Sequence, residues 1–342
     1  MRMRTYIVRR LLLLIPVLIG ISIFVFCLTR IGGDPAAIYI SPHMSAEERE
    51  IVRESLHLND DIFTQYFYWL SAILRGDWGL DPTNGDVPVT QSIMEFFPAT
   101  LELTLISVFI AVIIGLFLGT LSASHKDRGI DHSTMIMALL GVSLPIFVLA
   151  LILQYVFYFQ LGWLPAVQRY DVVLFGQYSV GWNSYTGMFL ADSLLNGNMT
   201  MFVDGVKHII LPSLTLAFSL IAVITRIMRT SMVEVLNQDY IKAARAKGLP
   251  ERLVIARHAR RNALIPTATV VGMSFGALLG GAVIIETIFS WPGLGRWSTQ
   301  AIVQLASAPI MGFVLFTAVL IVLSSLVVDI MYAYLDPRVK LG

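Results

Sequence analysis

Three acidic residues, Glu102, Glu286 and Asp329, stand beside long apolar stretches and are the first candidates for chemistry in this chain of 342 residues. Carriers driven by protons or ions usually place ionisable groups inside their membrane spans. Here each carboxyl lies within about two turns of the end of an apolar stretch, and no stretch has Lys, Arg, Asp or Glu near its middle. Gln154 is the most polar side chain well inside one. The pattern offers no proton relay. It also argues against a membrane enzyme, because the three carboxyl groups are far apart in sequence. His43, His57, His125, His132, His208 and His258 are scattered without ligand spacing and read as solvent or interface residues. With Cys27 as the single cysteine, no metal site and no intramolecular disulfide are expected. No GxxxxGK[ST] phosphate loop is present, so nucleotide hydrolysis of that type and a resident cofactor are not expected either.

The most patterned segment is basic and reads SMVEVLNQDYIKAARAKGLPERLVIARHARRNALIP over residues 231–266. Met232, Val235 and Leu236 share one helix face, and Ile241, Ala244 and Arg245 roughly continue it. Gly248 is placed as a residue that ends a helix in the left-handed conformation. Pro250 and Glu251 suit the first turn of a second helix. That helix would carry Leu253, Val254 and His258 on one side and Arg257, Arg260 and Arg261 on the others. One reading is two short helices broken at a glycine on a membrane surface. The other is a basic loop held near anionic headgroups.

The elements that must position this segment follow from composition. Hydrophobic residues make up 56% of the chain and charged residues 14%, against about 25% charged in soluble domains. Lipid is therefore the expected solvent, and the net charge of +1 matters less than where the charges lie. A span needs about 20 mostly apolar residues. Six stretches qualify: 11–28, 103–124, 135–159, 209–225, 266–288 and 310–332. The first could be a signal peptide, but it is long for one and no small-x-small site follows it. Pro212 falls near the outer end of the fourth stretch, where a helix tolerates proline. The spacing thus predicts an all-α integral membrane protein with six transmembrane helices.

Orientation follows from Lys and Arg. Arg2, Arg4, Arg9 and Arg10, then Lys126 and Arg128, then the run from Arg226 to Arg261, then Arg338 and Lys340 all fall on one side of a six-helix count. That side is read as cytoplasmic, giving an N-in, C-in topology. The first outer loop is acidic, with Glu47, Glu48, Glu50, Glu54, Asp60, Asp61, Asp77, Asp81 and Asp86. The expected division is residues 1–29 as tail and first helix and 30–98 as an external region. Residues 99–342 are then a core, with an external loop at about 160–207 and a cytoplasmic loop at about 230–265. Within 30–98, Ser45 and Glu48 form a capping box, and Phe63, Phe67, Leu70 and Leu74 recur at helical spacing. The outer loops could be a lid, a docking surface or simple ties. Gly115 with Gly119, and Gly272 with Gly276 and Gly280, form small-residue stripes. Such stripes permit close helix approach, at a pore or subunit interface or within one bundle.

Lys242-Ala243-Ala244, followed after three residues by Gly248, resembles the EAA-x-x-x-G core of the cytoplasmic loop of binding-protein-dependent ABC importer permeases, with Lys in place of Glu. Leu264-Ile265-Pro266 lies further from the glycine than in the general pattern, as in the dipeptide, oligopeptide and nickel branch. The chain is similar to that branch along nearly its whole length. The matching segments are Gly33-Asp34-Pro35 (with Gly32 before it), Gln65-Tyr66, Gly76-Asp77-Trp78-Gly79, Pro88-Val89, Pro98-Ala99-Thr100-Leu101-Glu102-Leu103 and His208-Ile209-Ile210-Leu211-Pro212. Glu286-Thr287-Ile288-Phe289-Ser290-Trp291-Pro292-Gly293-Leu294-Gly295, Asp329 and Asp336-Pro337-Arg338 complete the series.

The resemblance is to the first, B-type permease subunit, and it implies a type I ABC importer permease architecture with folded external loops in a bacterial or archaeal plasma membrane. It implies a second permease subunit, two ATP-binding subunits that hold ATP and Mg, and an external solute-binding protein, with no nucleic acid. It assigns Tyr240, Lys242, Ala243, Ala244, Arg245, Lys247, Gly248 and Pro266 to the loop that couples to the ATPase. In that role a short helix sits in an ATPase groove and moves as a lever, with Ala243 and Ala244 leaving room for close approach. The cargo implied is a peptide-like solute, with oligosaccharide or a nickel chelate as alternatives; the residues that would bind it are not legible. An ion-coupled carrier is the competing class.

Overall fold

The computed structural model describes residues 3–31, 36, 40, 43–280 and 282–335. Gly32 to Pro35 and Asp336 to Lys340 of the sequence reading lie outside the described residues. The first helix, α1, runs Met3–Ile31. Two short helices follow, α2 at Ala46–Ser55 and α3 at Ile62–Leu74. Ser45 starts α2 with the expected capping box: the Glu48 N–H donates to Ser45 Oγ at 3.2 Å and the Ser45 N–H donates to Glu48 Oε2 at 2.7 Å. A two-residue antiparallel hairpin, β1 Leu80–Asp81 with β2 Val87–Pro88, pairs Leu80 with Pro88 and Asp81 with Val87. The long helix α4 covers Val89–Ser124.

Next come α5 at Gly129–Ser143 and α6 at Ile146–Leu153, the latter continued by a π turn at Gln154–Gln160. The segment that follows holds α7 at Val172–Tyr178 and α8 at Phe189–Leu195. The longest helix, α9, runs Met199–Leu236, and α10 covers Asp239–Ala246. α11 at Glu251–Leu253, a π turn at Val254–Ala259 and α12 at Arg260–Leu279 form one continuous rod. α13 at Val283–Ile288, α14 at Leu294–Val303 and α15 at Ser307–Leu335 complete the order.

Among the described residues four helices are long and apolar enough to cross a membrane: Val89–Ser124, Met199–Leu236, Glu251–Leu279 and Ser307–Val328. The α5–α6 pair makes a fifth if the bent pair counts as one span. α9 is the centre of the bundle. Of its most apolar window 67% is buried, against 22% for the 251–279 rod and 28% for α15. Gly115 and Gly119 of α4 face it, where an added Cβ would stand 2.6 Å from Ile224 Cγ2 and 2.6 Å from Met228 Cβ. Backbones approach this closely only where side chains are absent.

Three expected spans differ from the structure in detail. Stretch 135–159 is not one rod, because the chain bends by 103° between α5 and α6. Leu144 is extended (φ −78°, ψ 121°), as the ring of Pro145 demands of the residue before it. Stretch 209–225 is the middle of a far longer helix. Asn198 caps it by accepting from the Met201 N–H at 3.1 Å, so Pro212 sits in the helix interior rather than its first turn. Stretch 266–288 ends as a helix at Leu279 and resumes as α13, and Pro266 lies inside the rod, not at its start.

Candidate coupling surface

The basic segment folds as a short helix braced between two long ones. α9 stops at Leu236, and residues 237–238 turn the chain into α10. Ile241 is fully buried and Ala244 is 8% exposed. Both pack with Ala123 of α4, Met228 and Met232 of α9, and Val254, Ala259 and Ala263 of the rod. The opposite face is open: Tyr240, Lys242, Ala243, Arg245, Ala246 and Lys247 are exposed. Ala243 and Ala244 therefore point different ways. Only Ala243 is available to an outside partner, and the expectation that Ala244 makes such a contact does not fit its burial in this chain's own core.

Gly248 ends α10 with φ +78°. The Gly248 N–H donates to the Arg245 carbonyl at 2.9 Å, and the Leu249 N–H donates to the Ala244 carbonyl at 3.4 Å. This is the Schellman arrangement, and Leu249 packs back onto the cluster that holds Ala244. The exit aims the chain at Pro250, which opens the rod. Arg245 then clamps the two pieces: its Nε donates to Glu251 Oε2 at 3.0 Å and its Nη2 to Glu251 Oε1 at 2.6 Å. Asn262 Nδ2 donates to the Tyr240 hydroxyl at 2.7 Å, a second tie. Lys242 Nζ donates to Asp239 Oδ1 at 2.8 Å, and its ammonium holds the Asp239 carboxyl below the ordinary carboxylate range.

The rod deviates from the expected face. Its buried positions over the first five turns are Val254, Ala259, Ala263 and Thr267. The step from 254 to 259 is five residues, where a regular helix would use four. The π turn supplies that step, so Ala259 replaces His258 on the inner side. Arg252, Arg257, Arg260 and Arg261 are exposed around it. Between this rod and α4 lies an open groove of about 820 Å³, walled by Val112, Leu116 and Phe117 on one side and Ile255, Ala256 and Leu264 on the other.

At the other end of the bundle two of the three candidate carboxylates, Glu286 and Glu102, are held at the same stretch of α4. The Thr100 hydroxyl donates to Glu286 Oε1 at 2.8 Å, and the N–H groups of Gly295 and Arg296 donate to Glu286 Oε2 at 2.7 and 3.0 Å. Glu286 thus caps the start of α14. Two residues along α4 from Thr100, Glu102 accepts from Arg169 Nε at 3.0 Å and from the Leu190 N–H at 2.7 Å. Both carboxylates are saturated by fixed donors and act as clasps, Glu286 for the start of α14 and Glu102 for Arg169 and Leu190.

A model for binding-protein-dependent transport system inner membrane components matches residues 111–341, and a model for the N-terminal part of such components matches residues 3–104. The chain belongs to this family. Members are transport subunits of the inner membrane, not enzymes. Among its relatives is a dipeptide transport system permease protein of Alkalihalophilus pseudofirmus, 40% identical over 99% of this chain and 100% of that one. A probable D,D-dipeptide transport system permease protein of Escherichia coli is 39% identical over 96% and 95% of the two chains. An oligopeptide transport system permease protein of Bacillus subtilis is 37% identical over 99% and 100%.

In this inner membrane component the glycine stripes resolve into packing within one chain. A Cβ on Gly276 would stand 2.8 Å from Ser324 Cβ, and one on Gly272 would overlap the Val328 side chain, both of α15. Gly280 is looser, 3.2 Å from the Ala277 carbonyl oxygen. Sequence reasoning missed two partnerships. Arg229 of α9, counted only as a cytoplasmic cation, donates through Nε and Nη2 to Asp131 of α5 at 2.6 Å each. Asp81 of the hairpin accepts from Trp297 Nε1 at 2.7 Å and from Ser92 Oγ at 2.6 Å. Neither pair carries a local sequence signal.

Proposed function

We propose that the chain is one of two permease subunits that together form the path of an ATP-driven peptide importer, fed by an external binding protein and driven by two ATPase subunits that bind ATP and Mg. The observation that carries this reading is the mounting of α10. It is fastened to α9 through a two-residue turn and to the 251–279 rod through Arg245–Glu251, while its Tyr240–Ala243–Lys247 face stays open. A push on that face is delivered to two membrane-length helices at once. The peptide cargo is supported by the relatives, which are named as dipeptide and oligopeptide transport permeases. In this reading α1, α4, the α5–α6 pair, α9, the rod and α15 are six spans with both termini inside.

Reconstitution tests it. With Cys27 replaced by Ser, an impermeant thiol reagent should label Ser45→Cys and Asn198→Cys from outside and Lys247→Cys only from the cytoplasmic side. The complete complex in proteoliposomes should take up labelled di- and oligopeptides, and the isolated chain should hydrolyse no ATP. Labelling of position 247 from outside refutes the topology. Uptake of an oligosaccharide or nickel chelate in place of peptides refutes the cargo.

A further inference from the structure

The external segment holds two neighbouring helices of opposite character. α2 carries Glu47, Glu48, Arg49, Glu50, Arg53 and Glu54 within ten residues and buries none of its side chains. It is built for water. α3 has the sequence IFTQYFYWLSAIL, thirteen residues without Asp, Glu, Lys, Arg or His. Charges stand only at its flanks, where Asp61 caps the first turn by accepting from the N–H groups of Phe63 and Thr64 and Arg75 follows the last. Yet among the described residues nothing covers one face of α3. Phe63 is 81% exposed, Phe67 71% and Leu74 79%. Spacings of four and seven place them on one face.

The opposite face of α3 rests on α1. Ser22 Oγ and the Tyr66 hydroxyl share a hydrogen bond of 2.8 Å, and the Phe26 ring lies 5.4 Å from Tyr66 and 5.6 Å from Trp69. Ser22 and Phe26 belong to the apolar stretch Ile15–Cys27 of α1. At 1.5 Å per residue, Ser22 lies about 12 Å along the helix axis from Arg30, so the contact reaches hydrocarbon depth. α1 itself exposes Ile19, Ile23 and Phe24 there. Exposed apolar side chains of α1 thus flank in sequence the residues that α3 rests on. At about 20 Å, α3 is too short to cross, so it can only lie in the membrane's margin.

We propose that α3 is an outer-leaflet anchor whose Phe63–Phe67–Leu74 face is immersed in phospholipid acyl chains. The proposal rests on the reading that α1 crosses the membrane with its C-terminal end outside. It makes the lipid bilayer, rather than the binding protein or the second permease, the partner of this face. α2 and the hairpin are thereby held at a fixed height above the membrane.

Site-directed spin labelling tests it in the assembled complex, in phosphatidylethanolamine and phosphatidylglycerol vesicles. In a Cys27→Ser background, Phe63→Cys, Phe67→Cys, Leu74→Cys and, on α2, Glu50→Cys each receive a nitroxide. All four positions are exposed, and of the four only Glu50 gives up a side-chain hydrogen bond, the one it accepts from Asn59 Nδ2 at 2.8 Å. Collisions with oxygen, which partitions into lipid, are compared with those of a water-soluble nickel chelate. The expected oxygen-to-nickel ratio at 63, 67 and 74 is several-fold above that at 50. A ratio equal to that at 50 puts the face in water and overturns the proposal. Low collision with both reagents means that protein covers it, and overturns the proposal too. Impermeant thiol labelling of Glu50→Cys reports the topology separately. Reaction only from the cytoplasmic side would sink the orientation of α1, whatever the nitroxides show.

Discussion

Substitutions at Gly248 separate conformational cost from steric cost, because the structure removes the second. Nothing lies within 4 Å of a Cβ built there, so alanine fits by volume. The backbone is at φ +78°, where an L-residue other than glycine costs about 1 kcal/mol or more. Asparagine tolerates this region better, and valine worse because of its branched Cβ. If the turn gives way, the two closing bonds from Gly248 and Leu249 go as well, at about 1 kcal/mol each. The expected cost runs from a few tenths of a kcal/mol for Gly248→Asn, through about 1 for Gly248→Ala, to roughly 3 for Gly248→Val. At 1.4 kcal/mol per factor of ten, alanine should lower the braced population of α10 about five-fold and valine about a hundred-fold. Where the wild-type brace is only marginally stable these factors pass directly into coupling. The assay is substrate-stimulated ATP hydrolysis and peptide uptake by the purified, reconstituted complex, with subunit ratios checked on the same sample. The order Gly, Asn, Ala, Val is required. Asparagine as damaging as valine, or valine neutral, would refute the claim that positive φ at this residue holds the coupling geometry.

Ala243→Asp and Ala244→Asp should fail differently: the first leaves the chain folded and lowers ATPase stimulation, since position 243 faces outward, whereas the second buries an unpaired charge and should lower thermal stability of the isolated chain. Equal melting temperatures for the two would contradict their placement. Gly276→Leu should reduce the yield of folded protein by pushing α15 off the rod at Ser324, a cost of about 1–3 kcal/mol or more, read by size-exclusion chromatography in detergent; unchanged yield and transport would remove the close-packing argument.

What could be read from the sequence was local. The Ser45 capping box and the Gly248 stop depend on residues a few positions apart, and both stand in the structure as expected. The apolar stretches located the long helices, but not their ends, because helices such as α9 run well past the hydrophobic slab they need. Pro145 was visible, yet a mean over 20 residues hides a single break, so the α5–α6 bend was passed over. Helical spacing sets Ala244 on the apolar face with Ile241, but the family resemblance gives Ala243 and Ala244 one shared role, and only the packing of the eight-residue α10 separates them. Asp131 with Arg229, and Glu102 with Arg169, are 98 and 67 residues apart and became partners only through helix packing.

The extra residue in the π turn has the effect of a vernier between two fixed scales. Upstream, Arg245 pins the rod at Glu251; downstream, Gly272 and Gly276 key it against Val328 and Ser324. One residue of helix corresponds to about 100° of rotation and 1.5 Å of travel. Were the turn to tighten into regular helix, the two anchorages would fall out of phase by that amount, and one of them would have to let go. The six residues Val254–Ala259 therefore set the angular offset between the end of the rod braced by α10 and the part of it keyed to α15, and any insertion or deletion there would be felt at both.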